Sequence, residues 1–176
     1  SSSGDVSVDK LGLVVGEWYY VSVYSNSSAS GGTFTLCATD QMPVLTNKNN
    51  WCSSLAAYST VNASSSGPNP SCTTNNHNKS WFKLQAATEY IRIDVKTGSS
   101  EGTISFPEIA IWNSTLTQLE CREYTGSSGD VTASYIGLTV GQWYYVSVYS
   151  EVFAAGGTFS LCATVQLPVV TNTSNL

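Results

Sequence analysis

The run WYYVSVYS at residues 143–150 repeats, without a single change, the run at residues 18–25. The two runs are 125 residues apart, and positions 1–51 compared with 126–176 at that spacing share 32 identical residues without a gap. Similarity of this extent is not a chance event, and a fixed period is the sequence signature of repeat architectures. The sequence therefore predicts a tandem repeat with a 125-residue period.

The period divides the chain into one whole unit and a part of another. Residues 52–125 occur once, whereas the segment that follows them in the period occurs twice. A piece of about 40 residues is at the lower limit of what folds alone. The expected organisation is the C-terminal half of a preceding repeat at 1–40, a linker at 41–50, a complete repeat at 51–166 and a linker to the next repeat at 167–176.

On this interpretation the chain is a window on a longer array, and residues 1–40 are completed by the unit before them. A subunit that lends this segment to a neighbouring molecule is the competing arrangement. Each chain would then supply two C-terminal halves for one N-terminal half. In a simple head-to-tail polymer one C-terminal half of every chain would therefore remain without a partner. We therefore favour the array.

Strands are predicted along the whole unit. Apolar residues alternate with period two between clusters of Gly and Pro, and helical periodicity is absent. In residues 90–95, for example, Ile91, Ile93 and Val95 fall on one face. The other segments with this pattern are 81–84, 103–106, 109–112, 116–121, 130–133, 142–149 and 157–163. About eight strands per unit predict an all-β fold, a β-sandwich of jelly-roll or Ig-like character.

The five cysteines agree with a unit that is cut in the middle. Cys37 and Cys162 occupy equivalent positions of the repeat. If Cys52 pairs with Cys72 and Cys121 with Cys162, Cys37 is left over and its partner lies outside the chain. Two bridges per unit indicate an oxidising, extracellular compartment. Buried free thiols are the alternative, whereas the single His and the lack of a C-x-x-C pair disfavour a zinc cluster.

Composition narrows the possible partners. Only 11% of the residues are charged, the net charge is −5, and no run of like charges occurs. Such a composition provides no cluster of basic residues that could bind nucleic acid or an anionic membrane. No apolar stretch approaches the roughly 20 residues that span a bilayer, so we expect no membrane insertion. Chains rich in Ser, Thr and aromatic residues but poor in charge are typical of secreted β-proteins.

Several short runs together resemble one family. They are NWCSSLA at 50–56, SWFKLQA at 80–86, PEIAIW at 107–112, LEC at 119–121, LTVGQWYYV at 138–146 and GTFSLC at 157–162. In these runs the chain resembles the pre-peptidase C-terminal-like domains of secreted and surface proteins of Bacteroidetes, over residues 50–166 and again in the partial copy at 4–39. The resemblance implies a non-catalytic β-sandwich that accompanies secreted enzymes or is repeated in large adhesins. Trp51 departs from the family's Asn-Asp-x-Cys opening and removes an acidic residue that could have joined a calcium site.

Groups that could perform catalysis are scarce. His77 is the only histidine, and no nucleophile elbow accompanies it, so we expect an exposed loop residue and not a catalytic base. Glu120 with Glu123, and Asp94 with Glu101, are the candidate carboxylate pairs, but scattered acids are also what a solvated sandwich carries. We therefore predict no catalytic residue and no enzymatic activity.

No cofactor is predicted either. The pairs Gly31-Gly32 and Gly156-Gly157 each precede a strand and indicate hairpins, and no phosphate-binding loop is present. Calcium, held through backbone oxygens where strands begin at Asp5 and Asp130, is the one ion kept as an alternative.

The strand at 143–149 carries aromatic side chains on both faces. One face has Tyr144, Val146 and Val148, and if these fill the core the other face is presented outward. The aromatic residues of that outward set, together with their copies in residues 1–40, are Trp143, Tyr145, Tyr149, Trp18, Tyr20 and Tyr24. Exposed aromatic rows usually mark an interaction site. The row either stacks on sugar rings or packs against an adjoining unit, and its repetition favours packing.

These expectations combine into one function and one alternative. We expect a non-catalytic structural repeat of a long, disulfide-stabilised extracellular adhesin or surface filament, with neighbouring copies of the same repeat as its partners. The alternative is an ancillary carbohydrate-binding module of a secreted enzyme, with glycans as its ligands.

Overall fold

The structure, a computed structural model, describes residues 19–25, 32–38, 44–45, 51–61, 63, 67–73, 77–124, 129–151 and 156–165. Trp18, Asp5 and the predicted linker at 167–176 lie outside the described residues. The described residues contain nine strands and no helix, and so none of them forms a membrane-spanning helix. The strands are β1 (Trp51–Cys52), β2 (Tyr58–Ser59), β3 (His77–Gln85), β4 (Tyr90–Lys96), β5 (Pro107–Trp112), β6 (Gln118–Glu123), β7 (Val131–Ile136), β8 (Trp143–Ser150) and β9 (Thr158–Thr164).

The strands form two sheets, and every pair of named strands is antiparallel. One sheet has the order β1-β9-β4-β7, with β2 also paired to β9, and the other has the order β3-β8-β5-β6. The prediction of an all-β, sandwich-like fold is confirmed.

The core lies between the two sheets and follows from the alternation of the strands. The predicted inward face of β4, formed by Ile91, Ile93 and Val95, is buried. Aromatic rings bridge the layers, because Phe82 on β3 and Phe159 on β9 meet edge to face with 6.1 Å between their centroids. These side chains belong to one continuous apolar cluster, and burial of this kind is the main stabilising term of the fold.

The prediction of a strand at 103–106 is wrong. Residues 103–106 form no strand, although Ile104 is buried in the core. The N–H groups of Thr103 and Ile104 both donate to the carbonyl oxygen of Thr158, at 2.8 and 3.0 Å. The apolar pattern at 103–106 therefore reflects the burial of Ile104 in an anchored loop and not the hydrogen-bond ladder of a strand.

Part of the predicted linker at 41–50 belongs to the sandwich. Val44 forms a parallel bridge with Lys83 of β3, and the Leu45 N–H donates to the Lys83 carbonyl oxygen at 2.8 Å. The Leu45 side chain is only 1% exposed and lies in the main core. The described part of this segment thus adds a short edge to the four-stranded sheet.

The predicted disulfide pairing is wrong. The structure joins Cys52 to Cys162 and Cys72 to Cys121. The first bridge follows from strand register, since β1 and β9 place Cys52 directly opposite Cys162 with 4.0 Å between their Cα atoms. We call it the β1–β9 disulfide and the second the cap disulfide. Cys37 is an exposed free thiol.

Candidate functional site

The four-stranded sheet buries side chains on both of its faces. All six residues of β5 are buried. Ile109 and Ile111 face the main core. A second apolar cluster lies on the opposite face and consists of Trp81, Ala110, Trp112 and Tyr149, with Leu116, Cys121 and Tyr145 packed against it. A strand that is buried on both faces needs cover on its outer side, and a loop between β2 and β3 provides that cover.

This covering loop includes residues 67–73, which we call the cap segment. Its Cys72 is bonded to Cys121 of β6. The Tyr149 hydroxyl lies 3.3 Å from the Cys72 Sγ and 3.2 Å from the Cys121 Sγ. At the same edge the Ser71 N–H donates to the Gln118 Oε1 at 2.7 Å. The cap segment is therefore held by a covalent bond and by polar contacts.

Lys79 of β3 provides a further anchor for the cap segment. Its side chain is fully buried, and its Nζ donates to the Gly67 carbonyl oxygen at 3.4 Å, the Pro68 carbonyl oxygen at 3.1 Å and the Asn69 Oδ1 at 2.9 Å. Burial lowers the pKa of the Lys79 ammonium. Three oxygen acceptors match the three donors of an ammonium, and so Lys79 fixes the loop.

Glu108 is a buried carboxyl group under the cap segment. It lies on β5 between Tyr149 of β8 and Glu123 of β6, and it is 1% exposed. Neither carboxylate oxygen has a well-formed hydrogen bond among the described residues. Burial raises the pKa of Glu108 to about 8, while a side-chain contact with Thr73 opposes the increase and the charges of Glu151 and Glu123 add to it. A carboxyl group in such surroundings is stable in its neutral form.

Tyr149 shares this environment. Burial raises the pKa of its hydroxyl, and the nearby charges of Glu108 and Glu123 act in the same direction. The hydroxyl therefore remains protonated and can donate toward the cap disulfide. Because Glu108 and Tyr149 are both enclosed, neither reaches a substrate while the cap segment stays in place.

The predicted outward aromatic row is not a continuous exposed surface. Tyr149 is fully buried and Tyr145 is half-buried, since the second apolar cluster and the cap cover them. Trp143 remains 40% exposed, with the Lys83 Nζ 5.3 Å from its ring centroid, a cation–π distance. The copies Tyr20 and Tyr24 are exposed.

The other predicted residues include His77 and two acidic residues that contact arginines. His77 begins β3 and so does not lie in a loop. Asp94 accepts hydrogen bonds from Arg92, with its Oδ1 2.8 Å from the Arg92 Nη2, and Glu120 lies 3.2 Å from the Arg122 Nε. No group of three or more His, Cys, Asp or Glu side chains that could hold a metal ion occurs among the residues that the structure describes.

Asp130, the calcium candidate within the described residues, has a local structural role. Its Oδ1 accepts a hydrogen bond from the Thr97 N–H at 3.0 Å, and its Oδ2 lies 4.0 Å from the Lys96 Nζ. These contacts tie the start of β7 to the end of β4.

Sequence reasoning missed both Lys79 and Glu108. A signal was present for Glu108, since it is the one charged residue in the apolar run PEIAIW at 107–112. Lys79 stands two residues before Trp81, and period two therefore places it on the same face of β3. The burial of either residue was not visible, because it depends on a loop that folds back over the sheet.

No protein-family model matches the chain, and no curated protein matches it.

Proposed function

We propose that this sandwich is a non-catalytic structural repeat of a long, disulfide-stabilised extracellular adhesin or surface filament. The observation that carries the proposal is the self-similarity of the chain at a spacing of 125 residues. A tandem array of jelly-roll or Ig-like units is the simplest source of such similarity. The resemblance of residues 50–166 to pre-peptidase C-terminal-like domains supports the same class of protein.

The position of Leu45 supports a stiff connection between units. In an array, Val169 and Val170 are the copies of Val44 and Leu45 at the 125-residue spacing, and they would add to the next unit as Val44 and Leu45 add to β3. Only residues 166–168 then join two sandwiches, and the last of these is Pro168. Pro-containing links are semi-rigid, and one of three residues leaves little freedom to bend.

The two disulfides and the cap support a mechanical function. Disulfides persist in oxidising compartments such as the cell exterior. They close sequence separations of 110 and 49 residues, and so they constrain most of the unit against unfolding. Glu108 and Lys79 are both buried, and the Lys79 Nζ binds backbone carbonyl oxygens of the cap segment.

Electron microscopy of recombinant arrays tests this proposal. Arrays of two, four and eight units should form rods whose length is proportional to the number of units. A matched control inserts a flexible Gly/Ser segment before Pro168 and should give bent, beaded particles. The proposal is wrong if the unmodified arrays are as flexible as the control.

One observation favours the alternative of a carbohydrate-binding module. Trp143 is exposed beside Lys83, and an indole ring with a cation next to it can stack on a sugar ring. Pull-down on insoluble polysaccharides decides this point. Binding that is lost in Trp143→Ala but kept in Val140→Ala, a substitution at another exposed apolar residue, would establish the module; absence of binding supports the structural repeat.

A further inference from the structure

The two copies of the repeated run have opposite environments in the structure. Residues 144–150 belong to β8, whereas the identical residues 19–25 form no strand. Val146 and Val148 are fully buried, while their copies Val21 and Val23 are 65% and 53% exposed. An identical sequence is therefore folded in one place and uncovered in the other.

The next strand of the repeat shows the same contrast. Phe159 and Leu161 of β9 are fully buried, but their copies Phe34 and Leu36 are 66% and 61% exposed. Residues 32–38 form no strand. A monomer rarely exposes this many large apolar side chains unless they belong to an interaction site.

Sheet topology explains why these residues are uncovered. We call residues 51–124 the front half, residues 126–165 the back half, and residues 1–40 the spare back half. The back half contributes β7, β8 and β9, and no two of these strands pair with each other. β8 lies between β3 and β5, and β9 lies between β4 and the short strands β1 and β2. The back half thus supplies a central strand to each sheet and takes all its partners from the front half.

The front half of this chain cannot serve the spare back half as well. Its places beside β3, β5, β4 and β1 are filled by β8 and β9. The exposed residues are copies of the positions that contact the front half in the closed unit, and that unit shows which contacts they would make with a second front half.

We propose that the spare back half folds into a second copy of the front half, carried by a preceding unit of the same polypeptide. Residues 18–25 become the central strand of its four-stranded sheet, and residues 33–39 become the central strand of its five-stranded sheet. This inference rests on the proposed function, because the second front half belongs to the array.

The proposal assigns a partner to Cys37. In the closed unit Cys162, the copy of Cys37, is bonded to Cys52 across β1 and β9. Cys37 therefore pairs with the Cys52 equivalent of the second front half, whereas the pairing expected from sequence had pointed to a Cys121 equivalent. In this step two thiols lose two protons and two electrons to a low-molecular-weight disulfide, which is reduced to two thiols.

A two-unit variant tests the proposal. It carries a second copy of residues 51–125 fused in front of Ser1 of the full chain and is refolded with glutathione disulfide. We expect one reactive thiol in the original chain and fewer than about 0.1 in the two-unit variant, with a Cys37–Cys52 peptide found for the added copy. The proposal is overturned if Cys37 stays as reactive as in the original chain.

A glycine pair tests the fold around Cys37 independently of the bond. A Cβ on Gly157 would clash with the backbone nitrogen of Ile104, whereas a Cβ on its copy Gly32 meets nothing within 4 Å. In the original chain Gly157→Ala should lower the urea midpoint and Gly32→Ala should leave it unchanged. In the two-unit variant Gly32→Ala should lower the midpoint of the added unit; a silent Gly32→Ala there overturns the proposal.

These outcomes separate the pairing from the proposed function. If Cys37 is protected but long arrays form no rods, the pairing holds and the filament proposal fails. If rods form while Cys37 and Gly32 behave as in the original chain, the pairing is overturned and the filament proposal survives.

Discussion

Replacement of Glu108 by glutamine should change how the stability of the sandwich depends on pH. Glu108 is buried beside Tyr149 and Glu123, and its pKa is raised from 4.5 to about 8, chiefly by burial. Glutamine has the shape of the neutral carboxylic acid but does not titrate. The substitution therefore removes the proton equilibrium and keeps the packing.

The sign and the size of the effect follow from this shift. The Glu108 carboxyl group holds its proton more tightly in the folded state than in the unfolded state. Its contribution to the free energy of unfolding is therefore fully present below pH 4.5 and is lost as the pH rises toward 8. A shift from 4.5 to about 8 corresponds to at most about 5 kcal/mol. Because the effective dielectric constant around buried groups in proteins is higher than that of a dry interior, we expect about half of that, or about 2–3 kcal/mol.

Urea unfolding at intervals from pH 4 to pH 9 measures this effect. The free energy of unfolding of Glu108→Gln minus that of the original chain should grow by about 2–3 kcal/mol over this range, in favour of the variant. Glu89→Gln, at an exposed carboxylate, is the control and should follow the original chain. If the difference for Glu108→Gln stays constant with pH, Glu108 is ionised in the folded state and the reasoning is refuted.

Three further predictions concern the core and the disulfides. Leu45→Ala should destabilise the unit by about 2–5 kcal/mol. Val44→Ala, at a residue that is half exposed, should destabilise it far less. Equal urea midpoints for the two variants would show that Leu45 does not lie in the core. Ser147→Ala should cost about 1–3 kcal/mol, since the buried Trp112 Nε1 donates to the Ser147 Oγ at 2.9 Å, and an unchanged midpoint would contradict that hydrogen bond. Non-reducing peptide maps should show the β1–β9 and cap disulfides, whose removal should cost at most about 5 and 4 kcal/mol for separations of 110 and 49 residues; another partner for Cys52 would disprove the register of β1.

Strands with one wet face were predicted well from sequence. The alternation in β4 is found where the period of two placed it, and Val131 and Ala133 of β7 are buried as their alternation indicated. The short strands β1 and β2, of two residues each, were missed. Two residues are too few to show a period, and these strands form because β9 offers them hydrogen bonds.

The disulfide partners and the covered aromatic face could not be obtained from local pattern. Cys52 and Cys162 meet because two strands 110 residues apart come into register. Tyr149 was predicted to point outward, and it does leave the main core, but the cap segment covers it. Alternation gives the face of a side chain and not what lies above that face.

By itself the sequence determined the all-β character, the alternation that builds the core, and the existence of two segments 125 residues apart that share 32 of 51 residues. Only the tertiary structure decided which cysteines pair, that Glu108 and Lys79 lie beneath a cap, and that Leu45 belongs to the core. The clearest case is Val21 and Val146, which have the same neighbours in sequence but opposite exposure. A strand acquires its hydrogen bonds and its dry face from the strands beside it, and those neighbours are distant in the chain.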